Sequence, residues 1–136
     1  MEERNMPKSN VSKQMTLNFL CRNQSVIQPT QLYLALYSTN PTDADVGTEA
    51  NYEGYQRQAI TFGPPTLSGG NAVIQNSAAV QFAVVPNASG NIAFAALRTA
   101  ATGGDLVYYG SLAATYQLSQ GVQPIIPIGS LSVSEN

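Results

Sequence analysis

The clearest hydrophobic pattern in the chain lies in residues 31–38, which read Gln-Leu-Tyr-Leu-Ala-Leu-Tyr-Ser. Three leucines alternate with Tyr33, Ala35 and Tyr37, so the leucines share one face of a strand and the other three residues share the opposite face. Because both faces are largely apolar, the pattern predicts a central strand that is covered on both sides.

Shorter β patterns continue towards the C-terminus, separated by Gly, Pro and Asn turns. They lie at residues 55–62, 72–75, 80–84, 92–98, 106–112, 116–119, 122–128 and 131–133. The alanine-rich run 92–98 would also suit a helix, but the turns and β runs on both sides favour a strand. Turn signals about every 8 to 12 residues are typical of a sandwich. We therefore predict a mostly β fold, a single β-sandwich of about eight short strands.

One helical pattern precedes the strands, at residues 10–22. Ser9 or the residue after it offers an N-cap, and Val11, Met15 and Phe19 follow at a spacing of four. The pattern predicts one N-terminal amphipathic helix. Two roles stay open for it: the helix covers the β core, or it docks on another subunit.

The chain divides into an N-terminal arm, residues 1–8, and a β-sandwich domain with its N-terminal helix, residues 9–136. A chain of 136 residues can bury one hydrophobic core without disulfides. The single cysteine, Cys21, lies in an apolar run and is expected to be buried. The N-terminus does not resemble a signal peptide, and no apolar run approaches the roughly 18 residues of a membrane span, so we expect no membrane association.

The chain carries few charges. Only 10% of its residues are charged and its net charge is −2, whereas soluble domains have about 25% charged residues. Such a surface is either neutral and hydrogen-bonding or partly covered by partner chains, and the accompanying tyrosines and apolar strands favour the second interpretation. The net negative charge argues against nucleic acid as a partner. Residues 1–22 hold four bases and two acids, which makes them +2 and leaves −4 for the rest.

A long loop is predicted from about Thr39 to Gly54, and it holds half of the acidic residues of the chain. Loops of this length in a compact domain usually have a function or are ordered by a partner. A calcium site is a further alternative, although the loop lacks the ligand spacing of an EF-hand. The candidate partner-contact residues are the basic residues of the arm, the acidic residues of the loop and two strand arginines: Arg4, Lys8, Asp43, Asp45, Glu49, Glu53, Arg57 and Arg98.

No catalytic constellation accompanies these patterns. The chain has no histidine, which removes the usual general base and the commonest zinc ligand. Its only lysines, Lys8 and Lys13, lie near the arm, and the strands carry almost no carboxylates. We therefore expect no enzyme activity, no catalytic or metal-binding residues and no cofactor. Glycan binding through the seven tyrosines stays open, although tyrosines at alternating strand positions more often pack in a core or an interface.

Five pieces of sequence, in order, resemble a known family. They are residues 32–37 (Leu-Tyr-Leu-Ala-Leu-Tyr), 40–43 (Asn-Pro-Thr-Asp), 54–58 (Gly-Tyr-Gln-Arg-Gln), 76–82 (Asn-Ser ahead of Val-x-Phe) and 101–110 (Ala-Thr-Gly-Gly-Asp-Leu-Val-Tyr-Tyr-Gly). Together they resemble a family of small tailed-bacteriophage virion proteins that are often labelled tail-fibre proteins. The resemblance extends over about residues 9–134, and it implies a structural protein without catalytic residues.

The resemblance also implies a place in the virion, with assembly in the cytoplasm of the bacterial host. Because fibres are commonly long and repetitive whereas this chain is short, our first hypothesis is a capsid decoration or cement protein that binds between neighbouring capsid subunits. Its partners would be the major capsid protein or other virion proteins, and it would form a homo-oligomer, either a dimer or a trimer. The alternative is a tail-fibre or other host-binding module that recognises glycans.

Overall fold

A computed structural model describes residues 6–135, which form one helix and nine strands. The elements are α1 (Asn10–Cys21), β1 (Leu32–Tyr37), β2 (Gln58–Ile60), β3 (Thr66–Ser68), β4 (Asn71–Gln75), β5 (Val80–Gln81), β6 (Asn91–Arg98), β7 (Leu106–Gln117), β8 (Ile125–Ile126) and β9 (Ser132–Glu135). The predicted mostly β fold with an N-terminal helix is confirmed.

The strands form three antiparallel sheets. The largest has the order β2-β1-β6-β7, the second β3-β4-β9 and the third β5-β8. β1 is central, as predicted, because it pairs with β2 on one side and with β6 on the other. Leu32 lies opposite Ile60 of β2, and Leu36 lies opposite Ala95 of β6.

The main core lies between the four-stranded sheet and the two smaller sheets. Leu36 of β1 belongs to one buried cluster with Val80 of β5, Ile126 of β8 and Val133 of β9. The opposite face of β1 is also buried, since Tyr37 belongs to a second, smaller cluster with residues of β6 and β7. The prediction that both faces of this strand are covered is therefore confirmed.

The bounds of several strands differ from the sequence prediction. β2 covers only three residues of the run 55–62, because the chain is still turning at Tyr55, whose amide donates to the carbonyl of Tyr52. β7 continues to Gln117 through a bulge at residues 112–115, where its register with β6 shifts. β3, which the hydrophobic pattern did not indicate, forms a hairpin with β4.

α1 begins where the sequence predicts, but different side chains attach it to the sheet. The Ser9 hydroxyl accepts a hydrogen bond from the amide of Ser12 and donates one to the carbonyl of Leu106 at the start of β7. Ser12 is the one buried residue of the helix. The helix therefore contacts β7 through a small polar face, which lets it approach the strand closely.

The apolar side chains of α1 do not cover the β core, so the first predicted role of the helix is corrected. Val11 and Phe19 are exposed, and Met15 is half-buried. Cys21, which was expected to be buried, is exposed because the rest of the chain does not cover the last turn of α1. Within residues 6–135, no helix is both long enough and apolar enough to cross a membrane.

The last residues of the predicted arm lie against the domain. Met6 is buried in the main core. The carbonyl of Pro7 accepts a hydrogen bond from the amide of Tyr109 at 3.1 Å, and Lys8 pairs with Tyr108 in an antiparallel bridge. Residues 6–8 thus extend the four-stranded sheet at the edge of β7.

Candidate interaction surfaces

Two arginines tie the long loop between β1 and β2 to the hairpin between β6 and β7. Arg98, at the end of β6, forms a bidentate pair with Asp45, with Nη1–Oδ1 and Nη2–Oδ2 distances of 2.7 and 2.8 Å. The same guanidinium donates to the hydroxyl of Tyr37 and to the carbonyl of Gly104, both at 3.0 Å. Because Arg98 is buried, the fold depends on these partners to compensate its charge.

Burial and the ion pair shift the pKa of Arg98 in opposite directions. Burial by itself would lower the pKa of Arg98, but the hydrogen bonds to Asp45 and the nearby Tyr37 outweigh it, and the pKa is raised. Burial also raises the pKa of Tyr37, although Arg98 acts to lower it. Arg98 is therefore charged and Tyr37 neutral at physiological pH.

Arg57, just before β2, forms the second tie. Its Nε and Nη2 atoms each lie 2.9 Å from a carboxylate oxygen of Glu49. Its Nη1 donates to the carbonyls of Ala100 and Gly103, at 3.0 and 2.7 Å, and the hydroxyl of Tyr55 donates to the Glu49 carboxylate at 2.7 Å. Bidentate arginine–carboxylate pairs are among the strongest polar contacts in proteins, so the loop and the hairpin tip are held as one unit.

Two lysines attach the N-terminal segment to the rest of the domain. Lys8 lies 2.8 Å from Glu135, and Lys13 lies 2.5 Å from Asp43. The hydroxyl of Tyr109 also donates to Asp43. Hydrogen bonds from Lys13 and Tyr109 hold the pKa of Asp43 below its usual range. These pairs are more exposed than the arginine pairs and therefore contribute less to stability.

Most of the predicted partner-contact residues are thus paired within the chain. The paired residues are Lys8, Asp43, Asp45, Glu49, Arg57 and Arg98. Glu53 is exposed and forms no ion pair with any described residue, while Arg4 lies outside the described residues. Pairing within the chain does not decide whether these residues also contact a partner, so that role stays a prediction. Within residues 6–135, no group of three His, Cys, Asp or Glu side chains is placed to hold a metal ion.

An apolar surface on α1 and on the connector after it was not predicted. Leu17, Phe19 and Leu20 are 60%, 62% and 70% exposed, and Ile27 is 91% exposed. Large apolar side chains that are exposed on neighbouring segments are characteristic of sites that contact other proteins. The sequence did contain a signal, because Leu17 and Leu20 lie on the side of the helix opposite Val11, which places apolar residues around most of α1.

A cleft of about 570 Å³ lies between α1 and the connector. Its walls are residues of these two segments: Val11, Met15, Asn18 and residues 25–30. At the hairpin end the cleft is lined by Asp105, which is exposed and forms no ion pair within the described part of the chain. At the other end of α1 lies Arg22, whose Nη1 donates to Oδ1 of Asn18 at 3.1 Å. Arg22 is the one base among residues 6–135 that has no acidic partner there.

A second cleft, of about 610 Å³, lies beside the acidic loop and is lined in part by Tyr52, Tyr55 and Arg57. The Tyr52 hydroxyl donates to the carbonyl of Ala83 at 2.7 Å. The ring of Tyr55 stacks on that of Phe82, with centroids 6.0 Å apart and an angle of 2° between the planes. Both tyrosines therefore make packing and hydrogen-bond contacts inside the domain.

These features define a class of protein: a small, mostly β domain that uses its charges to attach its own loops and concentrates exposed apolar side chains on an N-terminal helix. The chain belongs to a family of podophage structural proteins, because the family model described as Podophage GP4 fiber I protein gp80 matches residues 7–134. The resemblance to tailed-phage virion proteins is thereby confirmed over nearly the whole chain. No curated protein matches it.

Proposed function

We propose that this protein is a non-enzymatic structural subunit of a podophage fibre, held on the particle by contacts with other virion proteins. The observation that carries the proposal is the exposed pair Leu17 and Leu20 on the outer side of α1. Large apolar side chains on an exposed helix face cost solubility unless a partner covers them. The family description supports the assignment to a fibre.

The rest of the domain suits a rigid structural part. The loop between β1 and β2 is held by the Arg57–Glu49 and Arg98–Asp45 pairs. Five nitrogen atoms of the two arginines donate eight hydrogen bonds, all to acceptors inside the chain. A loop fastened in this way presents a constant shape to a neighbouring subunit, because little ordering entropy remains to be lost on assembly.

A second candidate function is capsid decoration, in which the protein binds between neighbouring capsid subunits as a cement. The packing of the domain favours it, since residues 6–135 gather around one main core and the sequence shows no internal repeat of the kind that builds an extended shaft. As a third possibility, the fibre subunit would itself be a host-binding module that recognises glycans. Counting copies per particle separates the first two, because a decoration protein is present in hundreds of copies and a fibre in few.

The double variant Leu17→Ser/Leu20→Ser tests the proposal. We expect purified variant protein to lose binding to particles that lack the native protein, while its thermal unfolding changes little, because substitutions at exposed positions usually alter stability by less than about 0.5 kcal/mol. Leu67→Ser on β3 is the matched control, since Leu67 is 86% exposed. Equal particle occupancy by both variants would contradict a docking role for the helix. Binding of the isolated protein to host cells would favour the glycan-recognising alternative.

A further inference from the structure

We infer that two copies of this chain associate through the cleft beside α1, around a two-fold axis that sets the two helices antiparallel. The inference rests on the proposal that the protein is an assembled subunit, and it names a second copy as the occupant of the cleft. It uses the cleft side of α1 and leaves Leu17 and Leu20, on the opposite side, free for another virion protein.

The first observation is that a few charged residues have no ion-pair partner among the described residues. Four of the five bases in residues 6–135 pair with acids of the same chain, and only Arg22 is left. The acids left without a base there are Glu53 and Asp105. Asp105 lines the cleft, and Arg22 is hydrogen-bonded to Asn18, which also lines it. The cleft therefore has an acid without an ion-pair partner in its wall, and a base without one that is bonded to a wall residue.

The positions of these charges along α1 provide the second step. Asp105 directly precedes β7, whose first residues bond to Ser9 at the start of α1, and Arg22 follows the last residue of the helix. At 1.5 Å per residue, the twelve residues of α1 separate its two ends by about 16 Å, so the two charges lie near opposite ends of the helix. When a second helix lies antiparallel in the groove, each Arg22 comes level with Asp105 of the other copy. A two-fold contact of this kind repeats the same pair at both ends.

The walls of the cleft supply the apolar part of the contact. Ile27, in the wall opposite the helix, is 91% exposed, and Val11 is also exposed. A second copy seated in the groove removes these side chains from water in both partners at once. Burial of apolar surface then favours association, while the two charge pairs at the ends fix the antiparallel register.

Charge reversal in the purified full chain tests the inference. Arg22→Asp alone and Asp105→Arg alone each place like charges at both ends of the contact, so each should weaken self-association by at least about tenfold in sedimentation equilibrium. An equimolar mixture of the two variants restores both opposite-charge pairs. Native mass spectrometry, which separates the two variants by mass, should therefore show heterodimers in excess of either homodimer.

The matched control is Glu53→Arg, which reverses the other unpaired, exposed acid. This variant should self-associate like the original protein and should not form excess heterodimers with Arg22→Asp. Ile27→Asp should weaken the dimer, whereas Leu67→Asp, at a similarly exposed apolar site on β3, should not. Circular dichroism of every variant checks that the fold is retained.

Three results would overturn the inference: a monomeric original protein throughout the micromolar range, a dimer that Arg22→Asp leaves unchanged, or a mixture of Arg22→Asp and Asp105→Arg that yields no heterodimer excess. A monomer that still occupies phage particles would overturn this inference alone and leave the proposed function standing. A dimer that is absent from the particles would instead refute the proposed function.

Discussion

Asp45→Asn is the most informative single substitution in the domain, because it removes the charge opposite a buried arginine without changing the size of the side chain. Asp45 has a φ of 60°, in the left-handed region that asparagine tolerates better than most residues. Asparagine therefore keeps the backbone conformation and one hydrogen-bond acceptor for Arg98. The loss of negative charge is then the main change.

The size of the expected effect follows from the exposure of the two partners. Removing one member of a fully buried ion pair costs about 3–5 kcal/mol, whereas an exposed pair contributes at most about 1 kcal/mol. The side chain of Arg98 is 8% exposed and that of Asp45 is 36% exposed, so this pair lies between the two limits. The buried Nε of Arg98 has no partner among the described residues, and the other partners of its guanidinium, Tyr37 and the carbonyl of Gly104, carry no negative charge. We expect a loss of about 2 kcal/mol.

Urea unfolding followed by circular dichroism measures this loss at a fixed protein concentration. The control is Glu53→Gln, which removes an exposed and unpaired charge and should change the free energy of unfolding by less than about 0.5 kcal/mol. In a double-mutant cycle with Arg98→Met, the coupling energy between Arg98 and Asp45 should exceed about 1 kcal/mol. If Asp45→Asn costs no more than Glu53→Gln, the pair does not hold the loop and the reasoning is wrong.

Two further predictions concern the hairpin tip and the response to acid. Gly104→Ala should destabilise the protein by at least about 1 kcal/mol more than Gly103→Ala in thermal unfolding. Both glycines have a positive φ, so the backbone strain is shared. A Cβ on Gly104 would lie 2.8 Å from Oγ1 of Thr99, whereas a Cβ on Gly103 meets no atom within 4 Å. Because hydrogen bonds hold the pKa of Asp43 below its unfolded value of about 4, its contribution to stability is present near neutral pH and is lost as the pH falls below about 4. Asp43→Asn should make that acid-induced loss smaller in unfolding curves measured between neutral and acidic pH; an unchanged loss would argue against the Asp43 contacts.

β1 could be predicted because the pattern of residues that specifies it lies within the strand itself. Alternation of leucines with Tyr33, Ala35 and Tyr37 requires only that both faces be covered, and any sheet that covers them satisfies the pattern. The start of α1 could be predicted for the same reason, since the N-cap residue Ser9 lies next to the helix that it caps. The end of β7 was missed because a bulge at residues 112–115 interrupts the period of two on which the prediction depends.

The pairing of charges could not be predicted in the same way. Arg98 and Asp45 are 53 residues apart, and they meet only because β6 pairs with β1 and the loop folds back over the end of that strand. The sequence did single out both residues, but it offered no means of telling a partner-contact residue from one paired within its own chain. For Arg57 and Glu49, only 8 residues apart, the turn at Tyr52–Tyr55 decides the contact, and the strand predicted at residues 55–62 hid that turn.

By itself, the sequence determined the fold class, the central strand, the helix and the scarcity of charge, because each of these depends on periods and counts along the chain. Only the tertiary structure decided which surfaces are occupied. The edge of β7 takes the polar side of α1, since Ser9 and Ser12 bond and pack there at short range, and this turns the apolar side chains Leu17 and Leu20 outward. A helical period shows that a helix has two sides, but the shape and hydrogen-bonding groups of the surface beneath it decide which side is buried.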